Sequence, residues 1–140
     1  MDSRLAAAVL LLLASPLASQ PEAPKVGTCE TAVGAWEFAT KTGGRILISR
    51  EGTNYDVLWV AKFTNPDTGD VEPEGMAAKC TCAKSEAKLL WKCRVVFSLQ
   101  YLRIGSHQKF EWGAEGNTLK SWYLAPNGTR NEGVPIRRPD

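Results

Sequence analysis

The sequence predicts an all-β fold, a single antiparallel up-and-down β-barrel of about eight strands. Apolar and polar residues alternate in several short segments after residue 29. Clusters of Gly, Asn, Asp and Pro separate these segments at intervals of about 8–12 residues. No segment keeps a helical period long enough to predict a helix. Because the turns are short and sequential, up-and-down order and closure into a barrel are favoured over a sandwich.

The predicted strands can be justified in chain order from this alternation. They are residues 34–40, 45–50, 55–63, 76–83, 88–104, 108–113, 118–125 and 134–138. Residues 64–75 are rich in Pro, Gly and acidic side chains, which predicts a long polar loop. The fifth segment is long enough to be two strands broken near Ser98 or one bent strand. Its alternation predicts an inward face of Trp91, Cys93, Val95, Phe97, Leu99 and Tyr101.

The N-terminus has the layout of a secretory signal peptide, predicted over residues 1–20. Leu5 to Ala14 form an apolar run that is too short to span a bilayer, although an uncleaved anchor is the alternative. Residues 21–28 are predicted as a flexible leader and residues 29–140 as the barrel domain, in a secreted or periplasmic protein. No later segment predicts stable membrane insertion. The formal net charge of +2 predicts no nucleic-acid partner.

Four cysteines in an exported chain predict disulfide bonds. Cys80 and Cys82 would face the same side of one strand, which places them poorly for bonding each other. A hairpin near residues 85–88 would set Cys80 opposite Cys93, which favours that pair and leaves Cys29 for Cys82. A register slip of one residue would give the swapped pairing. A zinc site with His107 is the other interpretation, but the spacing does not match structural zinc sites.

The opening triplet Gly34-Ala35-Trp36 and the C-terminal arginines predict how the barrel closes. Closure brings the first and last strands side by side, so an arginine there can stack over Trp36 by a cation–π contact. Because successive strand residues face opposite ways, only one of Arg137 and Arg138 can do so, and we favour Arg138. The predicted structural set is therefore Gly34, Trp36 and Arg138.

Gly34, Trp36 and a C-terminal arginine together resemble the lipocalin-like, or calycin, group, most closely its short exported members. The resemblance covers most of the mature chain in outline, without a T-D-Y motif in the later loops or a C-terminal helix. It implies a protein that carries a small apolar or amphipathic molecule inside the barrel. A small exported barrel-type protease inhibitor is also similar in outline, so a protein-binding module acting through its loops or leader is the alternative.

The aromatic content of the strands predicts where such a ligand would lie. Tyr55, Trp59, Trp91 and Tyr101 are the candidate lining, with the two tyrosines orienting a polar end of the ligand. A packed core is the alternative and the commoner role of such aromatic faces, because small barrels often fill their interior with side chains.

The sequence predicts neither an enzyme nor a cofactor or metal site. Ser106 and His107 are adjacent, and neighbours on an extended chain point apart, so they do not form a catalytic dyad. The carboxylates of the polar loop, Asp67, Asp70, Glu72 and Glu74, lack regular metal-ligand spacing and are interpreted as solvated. Residues 127–129 (NGT) form either a glycosylation sequon or, as we favour, a hairpin turn.

Overall fold

The computed structural model describes residues 25–40, 43–99 and 104–140, and its regular secondary structure is all β. In chain order the strands are β1 Gly34–Phe38, β2 Gly44–Glu51, β3 Asn54–Thr64, β4 Val71–Ser85, β5 Lys88–Ser98, β6 His107–Glu115, β7 Thr118–Leu124 and β8 Val134–Arg137. Each strand pairs antiparallel with the next, and β8 pairs with β1 to close the barrel. The predicted fold class and up-and-down order are confirmed. The predicted signal peptide and the first part of the leader lie outside the described residues.

Successive strands run in opposite directions, so each end of the barrel carries a different set of strand connections. One end, which we call the floor end, holds Gly34, Arg138 and the short turns after β2, β4 and β6. The other, the mouth end, holds the connections after β1, β3, β5 and β7. Glu74 belongs to the mouth end because it pairs with Ala61, which in turn pairs with Gly44 at the start of β2.

The period of two along β3 builds the interior. Tyr55 is buried, and Val57 and Trp59 are partly buried against the core cluster. Leu58 and Val60, which alternate with them, are 42% and 44% exposed. This alternation is what a barrel with a filled or partly filled interior requires, and it agrees with the predicted inward position of Tyr55 and Trp59.

β4 begins at Val71, so the predicted long loop over residues 64–75 is wrong for its second half. The chain turns tightly because the Gly69 N–H donates to the Asn65 carbonyl at 2.8 Å and the Asn65 N–H donates to the Asp70 carbonyl at 2.8 Å. The strand ladder then resumes with Thr64 opposite Val71. Polar composition predicted a loop here, but the pairing with β3 overrides that local preference.

A β-bulge changes the predicted inward face of β5. Ala78 pairs with Val95 and Ala77 pairs with Phe97, which leaves Val96 as an extra residue. An extra residue shifts the alternation by one position. Phe97 is consequently 52% exposed and Leu99 is 49% exposed, so their predicted inward position is wrong. Tyr101 lies outside the described residues.

The segment before β1 covers the floor end. Ala32 is fully buried and Val26 is 7% exposed, so the last part of the predicted flexible leader packs on the barrel. Thr28 and Thr31 hold the turn between them, since the backbone N–H of each donates to the hydroxyl of the other, at 2.8 and 3.2 Å.

Two disulfide bonds tie this segment and the β4–β5 hairpin together. Cys29 bonds Cys82, and Cys80 bonds Cys93, with Cα atoms 6.0 and 4.0 Å apart. Cys80 lies directly opposite Cys93 in the ladder. The favoured pairing is therefore the one in the structure, and the swapped pairing and the zinc interpretation are not.

Candidate functional site

Trp36 forms the floor of the barrel, as the opening triplet predicted. Its side chain is buried, and its indole N–H donates to the Ala32 carbonyl at 2.8 Å. The Arg138 guanidinium lies over its ring, with Cζ 3.9 Å from the ring centroid. Arg137, one residue earlier, points outward and forms an ion pair with Glu37. The structure therefore places Arg138, and not Arg137, over Trp36.

Arg138 also satisfies backbone groups of the segment that leads into β1. Its guanidinium donates to the carbonyls of Thr31, Val33 and Ala35 at 2.6, 3.2 and 3.0 Å. Three hydrogen bonds from one charged side chain fix the approach of the N-terminal segment to the end of β8. The contact is therefore a hydrogen-bonded closure as well as a cation–π stack.

Gly34 is required by this closure, and we expect Gly34→Ala to destabilise the protein by about 1–3 kcal/mol. Gly34 has φ +121°, which side chains rarely adopt, and a Cβ there would lie 2.8 Å from Arg138 Nη1. Urea unfolding measures the effect. In an Arg138→Ala background the substitution should cost less, because the clash is gone and only the backbone strain remains.

Gly52→Ala is the matched control for Gly34→Ala. Gly52 also has a positive φ, of +61°, but a Cβ there would meet nothing within 4 Å. It should cost about 1 kcal/mol, with or without Arg138, since only the left-handed backbone is penalised. An equal cost of Gly34→Ala in both backgrounds would contradict the close approach of Arg138.

A chain of aromatic rings lies above the floor. Trp36 meets Trp112 with ring centroids 5.2 Å apart, and Trp112 meets Trp91 at 5.5 Å. Trp91 meets Tyr55 at 5.5 Å in an edge-to-face arrangement. These are favourable aromatic geometries. The rings fill the lower barrel, so the floor end is packed and not hollow.

Towards the mouth end the barrel contains a cavity of about 400 Å³. Its wall is mostly apolar, with Phe38, Ile46, Ile48, Val57, Met76 and Val134 among the lining residues. The aromatic part of the wall consists of Phe38, Trp59, Trp91, Phe110, Trp112 and Tyr123. Glu132, which is exposed, also lines it, so the cavity reaches the surface. The size and lining are typical of a small-molecule site.

A few polar side chains interrupt the apolar wall. Glu74 is 3% exposed and Gln108 is 9% exposed, while Ser121 and Tyr123 come from β7. One carboxylate oxygen of Glu74 accepts the Gly75 N–H at 2.9 Å. The Gln108 amide nitrogen lies 3.5 Å from Ser106 Oγ, a weak hydrogen bond. The cavity thus combines an apolar body with convergent polar groups.

The structure brings together two of the four predicted ligand-lining residues. Trp59 and Trp91 line the cavity. Tyr55 does not, because it lies beneath Trp91 as part of the packed floor. Tyr101 lies outside the described residues. The role predicted for Tyr55, orienting a polar end of the ligand, stays a prediction, although its ring is not among the residues that line the cavity.

Sequence reasoning missed Glu74, Gln108 and Tyr123 as lining residues. Glu74 was assigned to a solvated loop because its neighbours are polar, but β4 pairing places it on the inward face. Gln108 and Tyr123 each lie two residues along the strand from a lining residue, Phe110 and Ser121. The period of two could have assigned them, once an inward residue on each strand was known.

Trp122 lies on the outer face of the barrel. It alternates with Ser121 and Tyr123, which line the cavity, and it pairs with Glu111 of β6. The Arg130 guanidinium covers its ring at 3.7 Å and forms an ion pair with Glu111. Trp122 is buried by the connection between β7 and β8 and not by the core.

An apolar row crosses the outside of the barrel from β2 to β5. Leu47 pairs with Leu58, Leu58 with Ala77, and Ala77 with Phe97. Leu47 is 49% exposed, and Leu58 and Phe97 are exposed as well. We call these four residues the outer apolar row. Contiguous exposed apolar side chains of this kind favour an interaction surface.

Ionisable groups outside the cavity form ordinary surface networks. Lys79 pairs with Glu51 at 3.1 Å and with Asp56 at 3.2 Å. Hydrogen bonds with Glu51 and then with Lys79 lower the pKa of Asp56, and those with Glu51 and Asp56 raise the pKa of Lys79. In the described ranges no group of three or more His, Cys, Asp and Glu residues is placed to hold a metal ion.

The comparisons with known proteins add no relative. No family model, no curated protein and no solved structure matches the chain. Across the part of the chain that the structure describes, none of the secondary structure is a helix with the length and apolar content needed to cross a bilayer.

Proposed function

We propose that this protein binds a small apolar or amphipathic molecule in the cavity of its barrel and that it acts as a binding protein and not as an enzyme. The observation that carries the proposal is the cavity of about 400 Å³ with a mostly apolar wall. That volume is within the range of about 300–1,000 Å³ usual for ligand sites. A fully packed barrel would have left no such space.

We also propose that the protein is exported and that it belongs to the lipocalin-like group. Two disulfide bonds are consistent with an oxidising environment, which supports secretion or export to a periplasm. Gly34, Trp36 and Arg138 meet at the floor end, and this supports assignment to the lipocalin-like group. The side chain of His107 is exposed at the start of β6, opposite Arg94, which gives no support to a catalytic dyad with Ser106.

We expect N-phenylnaphthylamine, a neutral fluorescent probe, to bind the protein, and Val57→Trp to weaken that binding. Val57 lines the cavity from β3, so an indole there would occupy the space that the probe needs. The affinity should fall by at least about tenfold, an effect of about 1.4 kcal/mol. Fluorescence titration of the probe measures this directly.

Leu58→Trp is the matched control for Val57→Trp. It places the same side chain on the neighbouring residue of β3, but on the outer face, where Leu58 is 42% exposed. Probe affinity should then stay within about twofold of the parent. If the parent protein binds neither this probe nor any apolar compound, or if both variants bind equally well, the cavity is not a ligand site.

The second candidate function is that of a protein-binding module, and the outer apolar row favours it. Native mass spectrometry of the protein from its own host separates the two: a ligand adds a small mass, whereas a partner adds a protein subunit. Leu58→Glu should remove a protein partner bound at this row, because it introduces a charge there, and should leave a cavity ligand bound.

A further inference from the structure

Glu74 is an acidic side chain held inside a mostly apolar barrel wall. It is 3% exposed and comes from β4 opposite Ala61 of β3. One carboxylate oxygen accepts the Gly75 N–H, whereas the other, Oε2, is buried and has no hydrogen-bond partner among the described residues. Glu74 nevertheless forms part of the cavity wall, so a ligand that fills the cavity contacts this side chain.

Such an environment is costly for a carboxylate. A buried charge loses its hydration, and one backbone hydrogen bond replaces only part of it. Buried polar atoms in native proteins almost always have partners, and an exception requires an explanation. A leucine or methionine at this position would complete the apolar wall. The carboxylate therefore points to a ligand group that pairs with it.

The charges of the lining residues indicate the sign of that group. Two carboxylates line the cavity, Glu74 inside and Glu132 at the surface, and none of the described lining residues is Lys, Arg or His. The aromatic faces also favour a positively charged ligand group. Trp59 lies on the inward face of β3, two residues from Ala61, which is the residue opposite Glu74. Indole rings attract cations. Among the described lining residues, the two carboxylates are the charged groups, and both would repel an anionic ligand.

We propose that the ligand is an amphipathic amine, whose protonated nitrogen pairs with Glu74 while its apolar body fills the cavity. The inference rests on the proposed ligand-binding function and specifies the chemical class of the ligand. The ammonium group supplies the hydrogen-bond donor that Oε2 lacks, and the charge pair is shielded from water by the apolar wall, which strengthens it.

Calorimetric titration with three matched probes tests the inference: naphthylmethylamine, which is cationic at neutral pH, naphthylmethanol, its neutral counterpart, and naphthoate, an anion. The amine should bind roughly ten- to a hundredfold more tightly than the alcohol, because it makes a charge-assisted hydrogen bond. Naphthoate should bind most weakly. In Glu74→Gln the advantage of the amine over the alcohol should fall to about threefold or less, the remainder coming from the aromatic faces.

Two controls keep the outcomes distinct. Binding of naphthylmethanol to Glu74→Gln at parental affinity shows that the variant folds and that its cavity is intact. Glu132→Gln should change the preference for the amine by less than about threefold, because the charge of Glu132 is exposed and screened. If all three probes bind the parent equally, or if Glu74→Gln keeps the full preference for the amine, the assignment to Glu74 is wrong while ligand binding stands. If none of the probes binds, the proposed function itself fails.

Discussion

Trp36→Ala should lower the free energy of unfolding by about 3–5 kcal/mol, the range for emptying a buried aromatic site. Trp36 is 7% exposed and contacts Trp112 on one side and Arg138 on the other. Its removal would leave a void at the floor end and an Ala32 carbonyl without its indole donor. For a domain with a total stability of about 5–15 kcal/mol this is a large fraction. Urea unfolding monitored by circular dichroism measures it.

The two arginines at the C-terminus serve as companions to this prediction. Arg138→Ala should cost about 1–2 kcal/mol, since it removes the stack on Trp36 and three hydrogen bonds to backbone carbonyls. Arg137→Ala should cost less than about 1 kcal/mol, because it removes only a surface ion pair with Glu37. If Arg137→Ala and Arg138→Ala have equal effects, or if Trp36→Ala leaves the unfolding midpoint unchanged, the stacking of Arg138 on a buried Trp36 is contradicted.

Removal of the Cys29–Cys82 disulfide should cost about 4 kcal/mol and exceed the effect of removing Cys80–Cys93. The reason is loop length: the first bond joins residues 53 positions apart, and the second joins residues 13 apart. In the chain-entropy model a longer closed loop restricts the unfolded chain more, which gives about 4 against about 3 kcal/mol. The paired variants Cys29→Ala/Cys82→Ala and Cys80→Ala/Cys93→Ala, unfolded in urea, compare the two.

The longer disulfide has a further role in the folded state. Cys29 holds the segment that buries Ala32 and Val26 against the floor end, so its loss also loosens that packing. The shorter bond lies within a hairpin that the β4–β5 ladder already holds in register. Should the Cys29→Ala/Cys82→Ala protein be the more stable of the two, the N-terminal segment does not dock on the barrel in solution.

Alternation and turn chemistry were sufficient to predict the barrel and its strand order. β3 shows why: its buried Tyr55 and exposed Leu58 follow from the period of two, and the turn at residues 52–53 contains a glycine. The same logic favoured Cys80 opposite Cys93 but left a register slip of one residue open. In the structure the two-residue turn between Ser85 and Lys88 fixes the register. The same logic also predicted that only one of Arg137 and Arg138 would stack on Trp36, because adjacent residues at a strand end face opposite sides, but alternation alone did not decide which one.

The features that sequence reasoning missed depend on pairing between strands. The bulge at Val96 reverses the faces of β5 beyond it, and only the ladder with β4 reveals the extra residue. Glu74 lies in a polar stretch, so its local composition predicts exposure, yet the pairing with β3 turns it inward. Tyr55 and Trp91 both point into the barrel, but only Trp91 lines the cavity. Packing between the rings decides this, and alternation along a strand does not reveal it.

Between β8 and β1 the side chain of Arg138 supplies hydrogen bonds that a further backbone residue of β8 would otherwise donate. β1 and β8 share two register pairs, Glu37 with Arg137 and Phe38 with Ile136. The ladder cannot continue past Arg138 on that edge, because Pro139 has no N–H to donate. The guanidinium instead donates to the carbonyls of Ala35 and Val33, which are the next acceptors along the partner segment. Hydrogen bonds from a side chain thus extend the closure of the barrel beyond the end of β8.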